Sequence, residues 1–154
     1  AMGADEFAQN AMPYYKEVFG DEEKPWPVLQ SILQARISRF NEIPGLLHFF
    51  KELPDYPADF FVNKKSKATL ENSPQMLQAA IEVLGQLPTW GLDAIHEALI
   101  GLAQKLGVKN GTLLWPVRIA AAGTLVTPGG AMEILALLGR EEALKRLGLG
   151  LAKL

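Results

Sequence analysis

The amino-acid sequence predicts an all-α fold made of short helices, and two observations carry this prediction. Apolar residues recur at the spacing of a helix face through most of the chain, and prolines, glycines and capping residues divide the pattern into short segments. No alternating strand pattern of useful length is present, and no repeat has the period of a solenoid. With 49% hydrophobic and 21% charged residues, we expect a globular protein whose helices pack at steep angles, not a bundle of long helices.

Proline sets several of the predicted helix boundaries. Pro13 interrupts or kinks the first helix, and Pro44 ends the second. Ser73-Pro74 and Thr127-Pro128 each start a helix with a capping residue followed by a proline that suits the first turn. The predicted helices cover residues 4–19, 27–42, 46–51, 73–86, 92–106, 127–139 and 141–152, and a further helix starts at Asn110 or Thr112 and ends at Gly123.

A boundary between two small helical subdomains is predicted near residue 60. Residues 53–69 hold two prolines and three lysines and lack a steady helical period. The predicted subdomains, 1–60 and 61–154, differ in charge: the first has 5 Lys+Arg against 10 Asp+Glu, net −5, and the second has 10 against 7, net +3. The second subdomain is therefore the better candidate for a surface that faces phosphate groups.

The composition excludes several classes of site and of location. The chain has no cysteine, which excludes disulfides, cysteine-ligated zinc and thiol nucleophiles and fits a reducing compartment. It has no apolar run near the roughly 20 residues that span a bilayer and no visible signal peptide, so we expect a cytoplasmic protein without a membrane partner. The opening Ala1-Met2 is interpreted as a cloning remnant, which would make the chain a fragment of a longer protein.

A search for catalytic residues finds no convincing enzyme site. His48 lies in an apolar and aromatic stretch and His96 in the middle of a predicted helix, so both are interpreted as packed or surface histidines. No GxSxG, no P-loop and no strand-linked GxGxxG motif is present. Lys64-Lys65-Ser66-Lys67 is interpreted as a solvated basic connection that is open to phosphate.

Two arginines and one glycine pair are open to more than one interpretation. Arg36 lies within the second predicted helix, and Arg118 lies in the otherwise apolar tract 113–120. An arginine in such a tract either extends to solvent or presents its planar guanidinium to a specific partner. Gly129-Gly130 lies in the first turn of a predicted helix, where free amides could face an anion, and the alternative is a plain capped helix start. The small residues 120–123 would let another helix, or a nucleotide, approach closely.

A series of short motifs in the last third of the chain keeps one order and spacing. The motifs are Lys109-Asn110-Gly111, Trp115-Pro116-Val117-Arg118-Ile119-Ala120, Gly123, Thr127-Pro128-Gly129, Glu133-Ile134-Leu135, Leu138-Gly139-Arg140-Glu141 and Arg146-Leu147. This series resembles the C-terminal signature of bacterial glutamyl-tRNA synthetases. Upstream, Leu33-Gln34-Ala35-Arg36 and the later Phe49-Phe50 resemble that family's arginine-bearing helix and the aromatic stretch after it.

The resemblance implies a two-part, all-α cage that holds the anticodon loop of tRNA-Glu. It implies that Arg36 contacts the third anticodon base and that Arg118 and the turn after it lie against the other bases. The lysines would add weak, salt-dependent phosphate contacts. The expected site residues are Arg36, Arg118, Thr127, Pro128 and Gly130 for the bases, with Lys105, Lys109 and Lys145 for phosphate.

Two positions depart from the family pattern. Ala121-Ala122 stands where the family usually has Leu-Thr, and Gly130 replaces what is often a larger residue. Both departures bear on how a base would pack against this part of the chain.

The resemblance also implies that the chain is one part of a class I glutamate–tRNA ligase. The catalytic domain, which would attach glutamate to tRNA with ATP and magnesium, has no counterpart in this sequence, so we expect no cofactor and no catalysis from the fragment alone. The expected partners are the anticodon loop of tRNA-Glu and the catalytic domain of the same parent chain, and not DNA. The alternatives are a helical protein-interaction module without an RNA role and a free-standing enzyme.

Overall fold

Residues 3–154, which the computed structural model describes, contain nine α-helices and two 3-10 helices. Ala1 and Met2, interpreted above as a cloning remnant, lie outside the described residues. The α-helices are α1 (Ala4–Phe19), α2 (Trp26–Leu33), α3 (Ile43–Leu46), α4 (His48–Lys51), α5 (Ser73–Gly85), α6 (Leu92–Leu106), α7 (Asn110–Ala122), α8 (Ala131–Leu138) and α9 (Arg140–Lys153), and the 3-10 helices are Phe40–Glu42 and Ala58–Phe61. Extended pairing in this part of the chain is limited to one antiparallel bridge, Asn63 with Ala68. The predicted all-α class is confirmed.

The predicted helix 27–42 is wrong over its second half, because α2 ends at Leu33. The carboxylate of Glu42 accepts hydrogen bonds from the main-chain amides of Ser38 and Arg39, both at 2.7 Å. These amides therefore have a partner outside a helix, which favours a capped turn over continued helix in this segment.

The predicted aromatic helix 46–51 is instead divided into the two single-turn helices α3 and α4. Pro44 lies in the first turn of α3, where its missing amide removes no helical hydrogen bond. Just before α3, the ring of Phe40 packs against that of Phe7 on α1, with centroids 5.1 Å apart. Aromatic packing thus determines the path of the chain here.

The helix predicted to start at Thr127 starts later, at Ala131, with Gly130 as its N-cap. Gly129 has φ +80°, a left-handed conformation that an α-helix does not contain, so residues 127–129 form a turn before α8. The predicted helices that correspond to α1, α5, α6 and α9 differ from the observed ones by at most one residue at either end, and α7 begins at Asn110, the earlier of its two predicted starts.

The buried hydrophobic side chains form one connected cluster with members from both predicted subdomains. Helices α5, α7 and α9 pack on one another, α1 packs on α3 and α4, and α2 contacts both α1 and α8. The contact between α2 and α8 places the end of α2 next to the turn that precedes α8. The division of the chain near residue 60 stays a prediction.

Small residues allow α9 to approach α7 closely. A Cβ atom added to Gly150 would lie 2.7 Å from the Cβ of Ala120 and 3.2 Å from the hydroxyl of Tyr56. Ala121 and Ala122 are fully buried in the core. The close approach that the small-residue tract permits is therefore made by another helix, and the departure at Ala121-Ala122 lies in the core.

Several side chains join distant helices by donating hydrogen bonds to main-chain carbonyl oxygens. The guanidinium of Arg140 donates to the carbonyl of Leu84 at 3.5 Å and to that of Leu87 at 2.5 Å, at the C-terminal end of α5. The indole of Trp90 donates to the carbonyl of Leu135 on α8 at 2.9 Å. Arg140 thereby joins the start of α9 to the C-terminal end of α5 and the residues just beyond it. Trp90 adds a second hydrogen bond to a carbonyl that already accepts from the amide of Gly139.

Arg146 on α9 is the most buried of these donors, with 1% of the residue exposed. Its Nη1 donates to the carbonyls of Phe49 at 2.7 Å and Ala121 at 2.8 Å, and its Nη2 donates to that of Phe50 at 3.2 Å. Its Nε donates to the carboxylate of Glu142 at 2.8 Å. The charge is therefore buried with its hydrogen-bond donors largely satisfied, and it joins α9 to both α4 and the end of α7.

We expect Arg146→Met to lower the free energy of unfolding by on the order of 3 kcal/mol or more, because it leaves buried carbonyls without donors. The measurement is urea denaturation of the chain followed by circular dichroism. Lys145→Met, at the exposed neighbouring position on α9, is the matched control and should change stability by less than about 0.5 kcal/mol. Equal effects of the two substitutions would contradict the role given to Arg146.

The hydroxyl of Tyr15 gives a second test, because it is buried without a hydrogen-bond partner among the described residues. We expect Tyr15→Phe to raise the free energy of unfolding by about 1 kcal/mol at pH 7, since the unpartnered hydroxyl is removed. Tyr14→Phe, at a half-buried position, is the control and should have little effect.

The same substitution should have a larger effect in alkali. Burial raises the pKa of Tyr15 from 10.0 to about 12, so between these values the unfolded chain loses the proton while the folded chain keeps it, and stability falls as pH rises. The gain from Tyr15→Phe should therefore be greater at pH 11 than at pH 7 in the same urea experiment. A gain that shrinks with pH would show that the folded protein favours the ionised hydroxyl, which would contradict its burial in an apolar environment.

Candidate nucleic-acid interface

Arg36 lies in the turn that follows α2 and is exposed. Its main-chain amide donates to the carbonyl of Leu33 at 2.9 Å, so the backbone stays attached to the end of the helix. Its side chain makes no hydrogen bond or ion pair within residues 3–154. The guanidinium is thus presented to solvent with its donors free.

The segment after Arg36 is held by the carboxylate of Glu42. Hydrogen bonds from the amide of Arg39 and then that of Ser38 lower the pKa of Glu42, because both favour the ionised form. The chain that carries Arg36 is therefore fixed on one side by α2 and on the other by this capped turn.

Arg118 on α7 binds the turn that precedes α8. Its Nη1 donates to the hydroxyl of Thr127 at 3.1 Å, and its Nη2 donates to the carbonyl of Leu125 at 2.9 Å. The guanidinium lies over the ring of Trp115, 4.7 Å from its centroid. Partial burial lowers the pKa of Arg118, since desolvation disfavours the charged form. Arg118 thus presents its planar fork to a partner that belongs to the same chain.

Further hydrogen bonds hold the turn internally. The hydroxyl of Thr127 donates to the carbonyl of Gly129 at 2.9 Å, and that of Thr124 donates to the carbonyl of Val126 at 3.0 Å. Thr127 and Pro128 are both buried. Of the predicted site residues, Arg118 and Thr127 are therefore brought into direct contact, and they shape the turn.

The turn exposes two apolar residues that sequence analysis missed. Leu125 is 47% exposed and Val126 is 81% exposed. The only signal in the sequence is an apolar pair between Thr124 and Thr127, at a point where helix spacing does not place it on a buried face. Their outward orientation depends on the hydrogen bonds of the turn, which the sequence pattern does not show.

The sequence predicted that the amides of Gly129 and Gly130 could be free to bind an anion, and the amide of Gly130 is not free. The amide of Gly130 donates to the Oε1 of Glu133 at 3.0 Å, so the protein's own carboxylate occupies the position where an external anion was expected. The alternative interpretation, a capped helix start, describes Gly130.

The turn lies directly against α2. A Cβ atom added to Gly129 would lie 2.6 Å from the Cγ2 of Ile32, and the φ of +80° is also one that favours glycine. Arg36 follows Ile32 closely in the chain, just beyond the end of α2. The structure therefore places the segment with Arg36 and the turn with Thr127 on elements that touch.

The three lysines predicted to contact phosphate lie on three separate segments. Lys105 is in the last turn of α6, Lys109 precedes α7, and Lys145 is on α9. All three are exposed, and none of their side chains makes a hydrogen bond or ion pair in the part of the chain that the structure describes. The basic run 64–67 forms a turn closed by two hydrogen bonds between Asn63 and Ala68, both at 3.0 Å.

Neither histidine belongs to a group that could hold a metal ion among the described residues. His48 and His96 are both exposed, and the Nε2 of His48 lies 4.0 Å from the carboxylate of Glu52. Within residues 3–154, no group of three or more histidines and acidic residues could hold a metal ion. Every helix described there is too short or too polar to cross a membrane.

Comparison with known proteins gives a family match over nearly the whole chain. Residues 6–151 match the family model described as "Anticodon binding domain". The glutamate–tRNA ligase of Clostridium tetani is 43% identical over 152 residues, which cover 97% of this chain and 30% of that protein. That of Clostridium novyi is 41% identical over 156 residues, which cover 99% of this chain and 32% of that protein.

Solved structures show the same fold. A glutamate tRNA ligase from Elizabethkingia meningosepticum, solved in complex with its amino acid, aligns with a TM-score of 0.76 at 20% identity over 96% of this chain and 29% of that chain. A glutamate-tRNA synthetase from Elizabethkingia anophelis aligns with a TM-score of 0.72 at 20% identity over 94% and 28%.

The chain spans about a third of the length of the curated relatives that it matches, and it corresponds to their C-terminal part. The resemblance indicated by the motifs is thereby confirmed. The family match includes α2, the Arg36 turn, α7 and the turn before α8. The chain belongs to the family of anticodon-binding domains and is similar to the C-terminal part of glutamate–tRNA ligases.

Proposed function

We propose that this chain recognises the anticodon loop of tRNA-Glu as the C-terminal part of a glutamate–tRNA ligase. The observation that carries the proposal is the contact between two elements of an anticodon-binding domain: the end of α2, which presents Arg36, and the turn that Arg118 and Thr127 hold. Together they form a wall from two distant parts of the sequence. Proteins that read RNA sequence mostly bind loops whose bases are unstacked and accessible to such a wall.

Arg36 is the residue proposed to read a base edge. An arginine side chain carries five N–H donors in a fixed planar arrangement, which suits the acceptor atoms of a base. The donors of Arg36 have no partner within the described residues, so they need not leave an internal hydrogen bond in order to bind RNA.

The turn of Thr127, Pro128 and Gly130 is proposed to face the other anticodon bases, with Arg118 behind it. The hydrogen bonds of Arg118 and Thr127 fix the turn before any RNA arrives. A surface that is already ordered loses less conformational entropy on binding than a flexible loop does. Since Gly130 carries no side chain, a base could approach the main chain there closely.

The exposed lysines are proposed to supply the part of the binding energy that depends on salt. Lys105, Lys109 and Lys145 are free to pair with phosphate groups, with the release of counterions. Because residues 61–154 have a net charge of only +3, we expect the chain alone to bind tRNA weakly.

The activity of the whole protein is part of the same proposal. A glutamate–tRNA ligase with this C-terminal part would attach glutamate to tRNA in its catalytic domain, using ATP and magnesium, in the cytoplasm. The residues of this chain would contribute by selecting the tRNA.

The first test of this function is the binding of tRNA-Glu and of an anticodon-swapped tRNA, measured by fluorescence titration at low and moderate salt. We expect Arg36→Ala to weaken binding of tRNA-Glu by about 1–3 kcal/mol and to reduce discrimination between the two tRNAs. Arg39→Ala removes the same charge from a nearby exposed position, so it is the matched control and should preserve discrimination.

Two results of this titration would contradict the proposal. Equal binding of both tRNAs by the wild-type chain would indicate only a non-specific phosphate interaction. No binding at all at low salt would favour the helical protein-interaction module.

The contact between Gly129 and Ile32 gives a second test. Gly129→Ala should destabilise the chain by about 1–2 kcal/mol through its backbone conformation, and by roughly 1–3 kcal/mol more through overlap with Ile32. Gly107→Ala is the matched control, because Gly107 has φ +70° but has open space around its Cβ position. Urea denaturation should show the difference, and the RNA affinity of the folded Gly129→Ala protein should fall. Unchanged RNA affinity in the Gly129 variant would argue against the turn as an RNA-binding wall.

A further inference from the structure

The apolar tip of the turn before α8, formed by Leu125 and Val126, has no role in the function proposed so far. We propose that Val126, with Leu125 beside it, packs against the face of one anticodon base, and that Arg118 is a positioning residue that holds this tip. The inference rests on the proposed function, and it assigns a contact to residues that neither the sequence motifs nor the family resemblance singled out.

The exposure of the tip is imposed by hydrogen bonds on its main chain. The carbonyl of Leu125 accepts from the Nη2 of Arg118 at 2.9 Å, and the carbonyl of Val126 accepts from the hydroxyl of Thr124 at 3.0 Å. The next residue, Thr127, is buried and bonded to Arg118. Val126 therefore remains 81% exposed on an ordered backbone. An isolated exposed valine is ordinary, whereas one that is held in place offers a preformed apolar contact.

The polar groups around the tip are already engaged. The Nη1 and Nη2 of Arg118 both donate within the turn, and the hydroxyl of Thr127 both accepts and donates a hydrogen bond. The ring of Trp115 is covered by the Arg118 guanidinium, and its Nε1 donates to the carbonyl of Phe60 at 2.9 Å. Neither stacking on Trp115 nor hydrogen bonding to Thr127 is therefore open to a base without breaking these contacts. The side chains that the tip itself exposes, Leu125 and Val126, are aliphatic.

The size of the tip favours a base over a protein partner. A stable protein interface buries about 800 Å² on each partner, whereas the tip offers two side chains. The face of one unstacked base is a small, flat, apolar surface that two aliphatic side chains can cover. The tip belongs to the same turn as Gly129, which contacts Ile32 on α2, the helix that precedes Arg36.

Arg36 and Val126 would then contribute to RNA recognition in different ways. Arg36 offers hydrogen-bond donors to a base edge, while Val126 offers an apolar surface to a base face. Because a base face differs less between bases than a base edge does, Val126 would add affinity and Arg36 would add most of the discrimination.

The test combines Val126→Ala with an RNA stem-loop that carries the anticodon arm of tRNA-Glu and three variants, each lacking one anticodon base. For the intact stem-loop we expect the Kd of Val126→Ala to rise about tenfold, since two apolar methyl groups lose their contact. On one of the three RNAs that lack a base, the substitution should have no effect, because its partner is absent. Val62→Ala is the matched control, at a valine that is 45% exposed elsewhere on the chain, and it should leave every Kd unchanged.

The outcomes separate this inference from the function on which it rests. A tenfold loss that disappears with one missing base supports the contact. No loss on the intact stem-loop, or an equal loss on all three RNAs that lack a base, overturns it while leaving the role of Arg36 intact. If the wild-type chain binds all four RNAs equally, the proposed anticodon recognition itself fails. The melting temperature of Val126→Ala should equal that of the wild type, because the side chain is exposed.

Discussion

The buried guanidinium of Arg146 is the interaction on which the arrangement of the other elements depends. Three carbonyl oxygens, two on α4 and one near the end of α7, point at one side chain of α9. In an apolar interior, each of these groups would be unfavourable alone, and so would the charge. Together they satisfy one another, which fixes α4, α7 and α9 in a single mutual position. Arg118 lies one turn before Ala121 on α7, so the helix that carries it is held at its C-terminal end by this arrangement.

In the proposed RNA-binding wall, at the surface, an arginine again donates hydrogen bonds to groups of the same chain. Arg118 is only partly buried, yet its donors are directed at the protein's own turn. The turn then rests on α2, where Gly129 leaves no room for a side chain beside Ile32. Polar groups thus set the shape of the wall, and the groups that it exposes include the Arg36 guanidinium and an apolar tip. The residues that hold the turn in place, such as Arg118, are therefore different from those proposed to contact the RNA, such as Arg36.

The sequence predicted the helices best where local signals agreed. For α6, the apolar period and Gly107 at the end indicate the same limits, and the structure has them. Prediction failed after Leu33 and at Thr127, where a side chain outside the segment binds it: Glu42 accepts from the amides of Ser38 and Arg39, and Arg118 donates to Thr127. Periodicity cannot report such contacts. The motifs did identify Arg118 and Thr127 as belonging together, but not that they bond to each other or that Val126 would be exposed.

The use of main-chain carbonyls as acceptors affects which amino-acid substitutions this fold can accept during evolution. A carbonyl oxygen is present whatever the side chain, so substitutions at Phe50, Leu87 or Leu135 leave the acceptors of Arg146, Arg140 and Trp90 in place. Only the donor of each long-range pair is restricted to particular amino acids. The acceptor positions can therefore drift as far as packing allows, and the helices remain joined. A domain connected in this way can tolerate wide divergence in sequence while a few arginine and tryptophan positions preserve its geometry.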